Sequence, residues 1–268
     1  MSASWTGGSF GSVATCVLAD NPSPMTLDGT NTWVLRAPGS SRSIVVDPGP
    51  ESQAHLAAVA AAAGEVATVL LTHHHLDHSA GARRFAELVG CGVRALDPAY
   101  RLGDEGLHDG DVVAVGDLEL AVVGTPGHTA DSLSFVVRPD AAVLTGDTVL
   151  GRGTTVVAHP DGRLGAYLDS LDRLHALAEA HEIRSVWPGH GPVLSDALAV
   201  LDHYIAHRHQ RLDQVREALR LLDPGGLDPE RPDLPRAVVE LVYADVDPIL
   251  WGAAELSVRA QLDYLQTR

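Results

Sequence analysis

The densest chemistry in the sequence is His73-His74-His75-Leu76-Asp77-His78, six residues that follow the apolar run Val66–Thr72. In an extended segment His73 and His75 point to the same side, so the two imidazoles can grip one metal ion. Asp77 and His78, where the chain turns, can reach a second position. Imidazole nitrogen together with carboxylate oxygen suits zinc, which takes both at about 2 Å. Three later segments, Thr125-Pro126-Gly127-His128-Thr129, Leu144-Thr145-Gly146-Asp147-Thr148 and Trp187-Pro188-Gly189-His190-Gly191, each put one His or Asp beside glycine at the carboxyl end of an expected strand. Strand ends are where α/β folds place chemistry, and glycine lets the backbone turn tightly and approach an ion. A metal held there could lower the pKa of a bound water to about 7 and polarise a carbonyl or phosphoryl oxygen.

These residues need strands to carry them. β-branched runs at Val13–Leu18, Thr32–Arg36, Ser43–Asp47, Val66–Thr72, Val112–Val115, Leu118–Gly124, Ser134–Arg138, Ala142–Thr145 and Ile183–Trp187 read as strands. Turn signals such as Asp47-Pro48-Gly49-Pro50 and Asp109-Gly110 separate them. Helical patterns cover Glu51–Ala63, Ser79–Val89 and Ala166–Ala180. Strands followed by helices, twice over, predict two similar α/β halves facing each other. From Ser195 the texture becomes helical: a long helix to about Leu222, a stop at Asp223-Pro224-Gly225-Gly226, then shorter helices. The expected division is residues 1–194 for the chemistry and 195–268 for a small helical appendage.

Composition narrows the function classes. The chain has 268 residues, 45% apolar and 20% charged, with 35 acidic residues against 19 basic and a net charge of −16. All of the basic residues are arginine. So acidic a chain repels phosphate backbones, which argues against non-specific nucleic-acid binding. Cys16 and Cys91 are too few for a disulfide scaffold and lie outside the ligand segments, so both read as small buried hydrophobes. No targeting or membrane-spanning segment is expected, the Ala-rich stretch Ala54–Leu71 being interrupted by His55, Gly64 and Glu65. A cytoplasmic protein is the default reading. His203 and His207 stand four apart on the long helix but read as a solvated polar face. His55, His108, His159, His175 and His181 read as surface residues.

The order His-x-His-x-Asp-His, a later His, a later Gly-Asp and a final Gly-His resembles the metallo-β-lactamase superfamily. That resemblance implies a four-layer αβ/βα sandwich with two zinc ions between its halves, iron or manganese being possible occupants. It assigns His73, His75 and His128 to the first ion, Asp77, His78 and His190 to the second, and Asp147 as the bridge. A carboxylate bridge, with no cysteine in its place, is similar to the glyoxalase II and RNase Z side of the superfamily. It makes Asp147 and Asp77 the catalytic carboxylates, with a hydroxide held between the ions as nucleophile and Asp77 orienting that hydroxide as well as ligating the second ion. Asp47 is expected to hydrogen-bond a ligand histidine, a turn former before Pro48 being the other reading. His74, between the ligands, is expected to point away. The segment Asn21–Thr32, Gly151-Arg152-Gly153-Thr154-Thr155 and the helical tail with Asp245-Val246-Asp247-Pro248 resemble the β-lactamase-like protein 2 group, whose tail is a winged-helix-like domain. Its members include single-stranded-RNA endoribonucleases and carrier-protein thioesterases.

Substrate is less legible. Arg152 could steer an anionic group into the site or form a structural salt bridge. Thr30 and Asn31 could line the pocket or make an ordinary turn. Residues 207–220 carry four Arg against Asp213 and Glu217, a net of +2, and the chain has 12 aromatic residues to stack bases, a poor basis for an RNA channel. The reading is therefore hydrolysis of a small or carrier-bound ester, thioester or related acyl substrate. Cleavage of single-stranded RNA is the alternative. β-Lactam hydrolysis ranks below both, as does a non-catalytic zinc protein, since structural zinc sites are closed and rich in cysteine. Oligomeric state is left open.

Overall fold

The computed structural model describes residues 4–222 and 231–267. Two six-stranded sheets face each other. The first runs β1 (Gly8–Phe10), β2 (Ala14–Leu18), β3 (Asn31–Leu35), β4 (Arg42–Val46), β5 (Glu65–Leu70), β6 (Gly92–Arg94), in that spatial order. The second comprises β7 (Val112–Val115), β8 (Leu118–Gly124), β9 (Leu133–Val137), β10 (Ala142–Gly146), β11 (Ser185–Pro188) and β12 (Leu194–Ser195), again neighbours in sequence order. Most pairs are antiparallel, as short turns allow. The parallel pairs β4–β5, β5–β6 and β10–β11 need helical crossovers. These are α1 (Gln53–Ala63), then α2 (Leu76–Ser79) with α3 (Ala82–Val89), and α4 (Leu164–Ala180). The helix expected over Ser79–Val89 is thus two pieces, and its first turn carries Asp77 and His78.

Alternation along the strands separates the layers. On β9, Leu133, Phe135 and Val137 face the other sheet, while Val136 faces the helices. The inter-sheet core joins Trp33, Leu35, Ile44 and Val46 to Leu120, Phe135, Leu144 and Trp187. Trp33 and Trp187 stack across it with ring centroids 5.2 Å apart. Leu56, Val59 and Phe85 cover the outer face of the first sheet, and Tyr167, Leu171 and Leu201 that of the second. The result is the four-layer αβ/βα sandwich. Fully burying side chains of this size contributes about 1.5–3 kcal/mol each.

The long helix is α5 (Ala197–Leu222), followed beyond the undescribed stretch by α6 (Leu234–Val242) and α7 (Trp251–Gln266). Leu201 and Tyr204 pack α5 against the second sheet and α4, and Val215 and Ala218 pack it against α6 and α7. The expected stop at 223–226 lies outside the described residues. Among the described residues no helix is long and apolar enough to cross a membrane.

Candidate metal centre

Every segment singled out by its spacing leaves the carboxyl end of a strand on the same side of the sandwich: His73 follows β5, His128 β8, Asp147 β10 and His190 β11. Their ligand atoms form three overlapping groups, His73/His75/His128, His73/His78/Asp147 and Asp77/His78/His190, each with its atoms within 4.8 Å of one another. In the first, His75 Nδ1 lies 3.1 Å from His73 Nε2 and 3.0 Å from His128 Nε2. In the last, His190 Nε2 lies 3.2 Å from His78 Nε2 and 3.0 Å from Asp77 Oδ2. Asp147 stands between them, its Oδ2 3.7 Å from His128 Nε2 and 3.4 Å from His190 Nε2 and its Oδ1 3.4 Å from His78 Nε2.

The far nitrogens are anchored, which fixes which ring edge faces inward. His128 Nδ1–H donates to the Val156 carbonyl at 2.8 Å and His190 Nδ1–H to that of Gly29 at 3.1 Å. Asp47, 2% exposed, accepts from His78 Nδ1–H at 2.8 Å. The same carboxylate accepts from the Thr72 hydroxyl at 2.6 Å and the Thr72 amide at 2.8 Å. With its proton committed to Asp47, the Thr72 oxygen accepts from His73 Nδ1–H at 3.0 Å. One carboxylate thus orients a histidine of each group. It also makes the turn, with φ of +51°, a strained backbone that its fixed surroundings hold in place. Gly189 is tied to the cluster for a steric reason: a Cβ there would lie 2.6 Å from Asp147 Oδ1 and 2.7 Å from His78 Cε1.

Electrostatics decide whether a cation fits. Burial, reinforced by neighbouring imidazoles, holds His73 well below the usual histidine range. Burial lowers His128 too, and brings His75 to about 4, so these three are neutral and ready to ligate. Burial also opposes charge on His78 and His190, yet Asp147 and the other facing carboxylates outweigh it, holding His78 well above its usual range and His190 at about 9. Asp147 is held well below the carboxylate range against the effect of burial, by His190 and His78. Burial raises Asp77, but His190 and His78 bring it to about 2. The two carboxylates, Asp147 buried and Asp77 part-buried, hold positive charge on His78 and His190, a role that a bound cation would take over. Asp147 Oδ1 is itself buried without a hydrogen-bond partner. This donor set fits a divalent cation.

The remaining expectations are placed as follows. His74 turns away, its Nδ1 2.8 Å from Asp131 Oδ1. Thr30 and Asn31 are fully buried and are not among the residues that line the cavity described next. Asn31 Nδ2 donates to the Pro188 and Gly191 carbonyls at 2.9 and 2.8 Å, and Thr30 forms a bridge with His190. They hold the loop that carries the last histidine. Arg152 pairs with Asp28, the salt bridge of its two readings, at the rim of that cavity. His55 is not a surface residue. It is buried, 2.9 Å from Thr32 Oγ1, whose hydroxyl donates to the Asp47 carbonyl at 2.7 Å.

A cavity of about 350 Å³ opens beside the cluster, with His128 and Asp147 in its wall. Met25 and Leu27 form one side, and Leu150, Val246, Leu250 and Ala254 much of the rest. Its α5 wall is His207, Arg208 and Arg211, which corrects the expectation of a solvated polar face for these three, while His203, Arg216 and Arg220 are exposed as expected. The signal was present: Leu201, Tyr204, Arg208, Leu212 and Val215 make one helical stripe of buried positions, and Arg208 occupies a core-facing slot in it.

The chain belongs to the metallo-beta-lactamase superfamily and, with it, to the hydrolases: that family's profile matches residues 25–225. A second profile, the beta-lactamase associated winged helix domain, matches residues 235–268. Among curated relatives, the beta-lactamase-like protein 2 homolog of Caenorhabditis elegans is 33% identical over 224 residues, covering 77% of this chain and 70% of that protein. The atrochrysone carboxyl ACP thioesterase of Aspergillus fumigatus is 35% identical over 215 residues, covering 76% of this chain and 64% of that protein, just under two thirds of its length. In three dimensions the chain is similar to a metallo-beta-lactamase family protein of Thermus thermophilus, with a TM-score of 0.74 and 23% identity over 95% of this chain and 93% of that one.

Proposed function

We propose that the chain is a dinuclear zinc hydrolase acting on an ester, thioester or related acyl substrate. The observation that carries this reading is the mostly apolar cavity that ends on Asp147 and His128, a volume suited to a compact acyl group. Held by His73, His75 and His128 on one side, by Asp77, His78 and His190 on the other, and by Asp147 between them, the ions would supply an acidified water and polarise the scissile carbonyl. The chain's own residues do the rest. Asp47 fixes the ring orientations of His73 and His78, Asp77 would orient the attacking water as well as ligate the second ion, and the cavity walls orient the acyl group and exclude bulk solvent. The thioesterase among the similar proteins supports the substrate class.

Cleavage of single-stranded RNA draws less support. Arg216 and Arg220, the outer half of the arginine-bearing stretch, are ion-paired with Asp213 and Glu217 at 2.8 and 2.7 Å, and the inner half lines the cavity instead of an open channel. The test is a panel of acyl thioesters, aryl esters, lactones, a chromogenic β-lactam and labelled single-stranded RNA, offered to zinc-loaded protein. Zinc-dependent turnover of an acyl substrate is expected, with weak or no β-lactam turnover. Efficient RNA cleavage with every acyl substrate untouched would replace this reading by the alternative.

A further inference from the structure

The α5 wall of the cavity carries charge that no carboxylate among the described residues pairs with. Arg208 is 5% exposed, the one fully buried arginine among the described residues. Its Nη2 donates to the Thr155 carbonyl at 2.6 Å, its guanidinium lies 4.8 Å over the Tyr167 ring, and its Nε is buried without a partner. Arg211, three residues on and half-buried, lies 4.4 Å over the Tyr243 ring and donates to the Val242 carbonyl. His207 Nδ1, beside them, is also buried without a partner. The chain has 35 acidic residues for 19 arginines, yet no carboxylate forms an ion pair with Arg208 or Arg211 among the described residues. The cavity's own carboxylate, Asp147, belongs to the metal cluster, and Asp28 is tied to Arg152 at the rim.

A buried cation without a counter-charge costs several kcal/mol, and buried donors without acceptors add to that cost. Such a cost is kept where a ligand removes it. A guanidinium fork flanked by a neutral imidazole matches the planar two-oxygen geometry of a carboxylate. The field of the two arginines is visible in His207 itself, which burial, Arg208 and Arg211 together bring to about 4. Val246, Leu250 and Ala254 give the same cavity an apolar stretch of wall.

We infer that His207, Arg208 and Arg211 form a subsite for a carboxylate on the acyl part of the substrate, its carbon skeleton lying along the Val246–Leu250–Ala254 wall. The substrate class is then a dicarboxylic or carboxyl-bearing acyl ester or thioester, an assignment that rests on the acyl-hydrolase reading above. Arg152, already paired, is the lesser contributor.

The test is equilibrium binding by titration calorimetry on metal-loaded protein, which needs no turnover. The probes are a thioether analogue of a glutaryl thioester, with CH₂ in place of the scissile carbonyl, its methyl ester, and inorganic phosphate. The carboxylate should bind at least about tenfold tighter than the ester, and Arg211→Ala and Arg208→Met should each reduce that preference below about threefold with metal content unchanged. Should Arg208→Met fail to fold, Arg211→Ala, at a half-buried position, decides alone. Equal binding of carboxylate and ester overturns the proposal. So does a preference that survives in the folded variants, since the carboxylate would then sit on the metals, and so does phosphate displacing the carboxylate probe at submillimolar concentration. A preference lost in the variants while no thioester is hydrolysed would leave the subsite standing and remove the acyl-hydrolase reading.

Discussion

The metal cluster and the cavity beside it are built on opposite principles. The cluster draws its ligands from short segments that leave the ends of four strands, three of them with glycine beside the ligand and the first turning into α2. Most of the cavity wall comes from later or peripheral chain: the loop with Met25 and Leu27, the α5 face with Arg208, and the α6–α7 region with Val246, Leu250 and Ala254. In the cluster the carboxylates face histidines, and Asp147 Oδ1, 3.4 Å from His78 Nε2, is buried without a hydrogen bond. In the α5 wall the cations lack carboxylates. The first arrangement is made for a metal and the second for an organic anion, so the reaction and its selectivity reside in separable parts of the chain.

That separation can be broken by mutation, most severely at the cluster. Asp147→Ala removes the carboxylate common to both groups, and hydrolysis should fall on the order of 10³-fold or more while circular dichroism and Tm show a retained fold. His74→Ala, which loses the contacts with Asp131, Asp161 and Tyr100 but removes none of the seven cluster residues, should stay within about tenfold in the same assay. Gly189→Ala leaves every ligand in place but puts a methyl group against Asp147 and His78. Metal affinity, read by competition with a chelator, should weaken by roughly 10–100-fold, and Asp47→Asn, which disturbs the orientation of His73 and His78, should do the same.

The cavity side gives smaller effects of a different kind. Ala254→Phe fills the cavity with a ring against Val246 and Leu250. It should raise KM for long acyl substrates about tenfold with zinc content unchanged, because it removes binding common to ground and transition states. A loss of metal in that variant would show that the two regions are not separable.

These two regions were also unequally legible in the sequence. Ligands crowd into His73–His78, and glycine marks the remaining three, because a metal site needs particular atom types at short reach of a strand end. The twin α/β halves followed from β-branched runs and turn signals, although the short strands β1, β6 and β12 carry too few residues for a pattern, and the break between α2 and α3 at Ala80-Gly81 was hidden by helical spacing on both sides. The cavity was not legible. Thr30 and Asn31 sit in a loop whose sequence suits a turn, and only the fold shows their atoms turned inward to carry the His190 loop. His55 lies on an Ala-rich helix with almost no amphipathic contrast, so its burial under Thr32 had no periodic signal. Arg208 did leave one, as a charge within an apolar stripe, but a net of +2 over residues 207–220 masked it.

The smallest predicted effect is on stability against pH. Burial first, then Arg208 and Arg211, bring His207 from an ordinary 6.5 to about 4 in the folded chain. Between those values the unfolded chain holds more protons, so stability is full above pH 6.5 and declines as pH falls toward 4. His207→Gln should make that decline shallower by on the order of 1–2 °C in Tm between pH 7 and pH 4.5, a small change because the group is half-exposed to screening water. An identical pH slope in the two proteins would place His207 outside the field of the two arginines.

The most direct test of the central claim is a metal titration of chelator-stripped protein, following hydrolysis of an acyl thioester against zinc content by elemental analysis. The rate should be near zero in stripped protein, rise with added zinc and reach a plateau at two equivalents per chain, with Asp147→Ala showing no rise. A stripped protein that keeps its full rate, or an Asp147→Ala variant whose titration matches the unmodified chain, would contradict it.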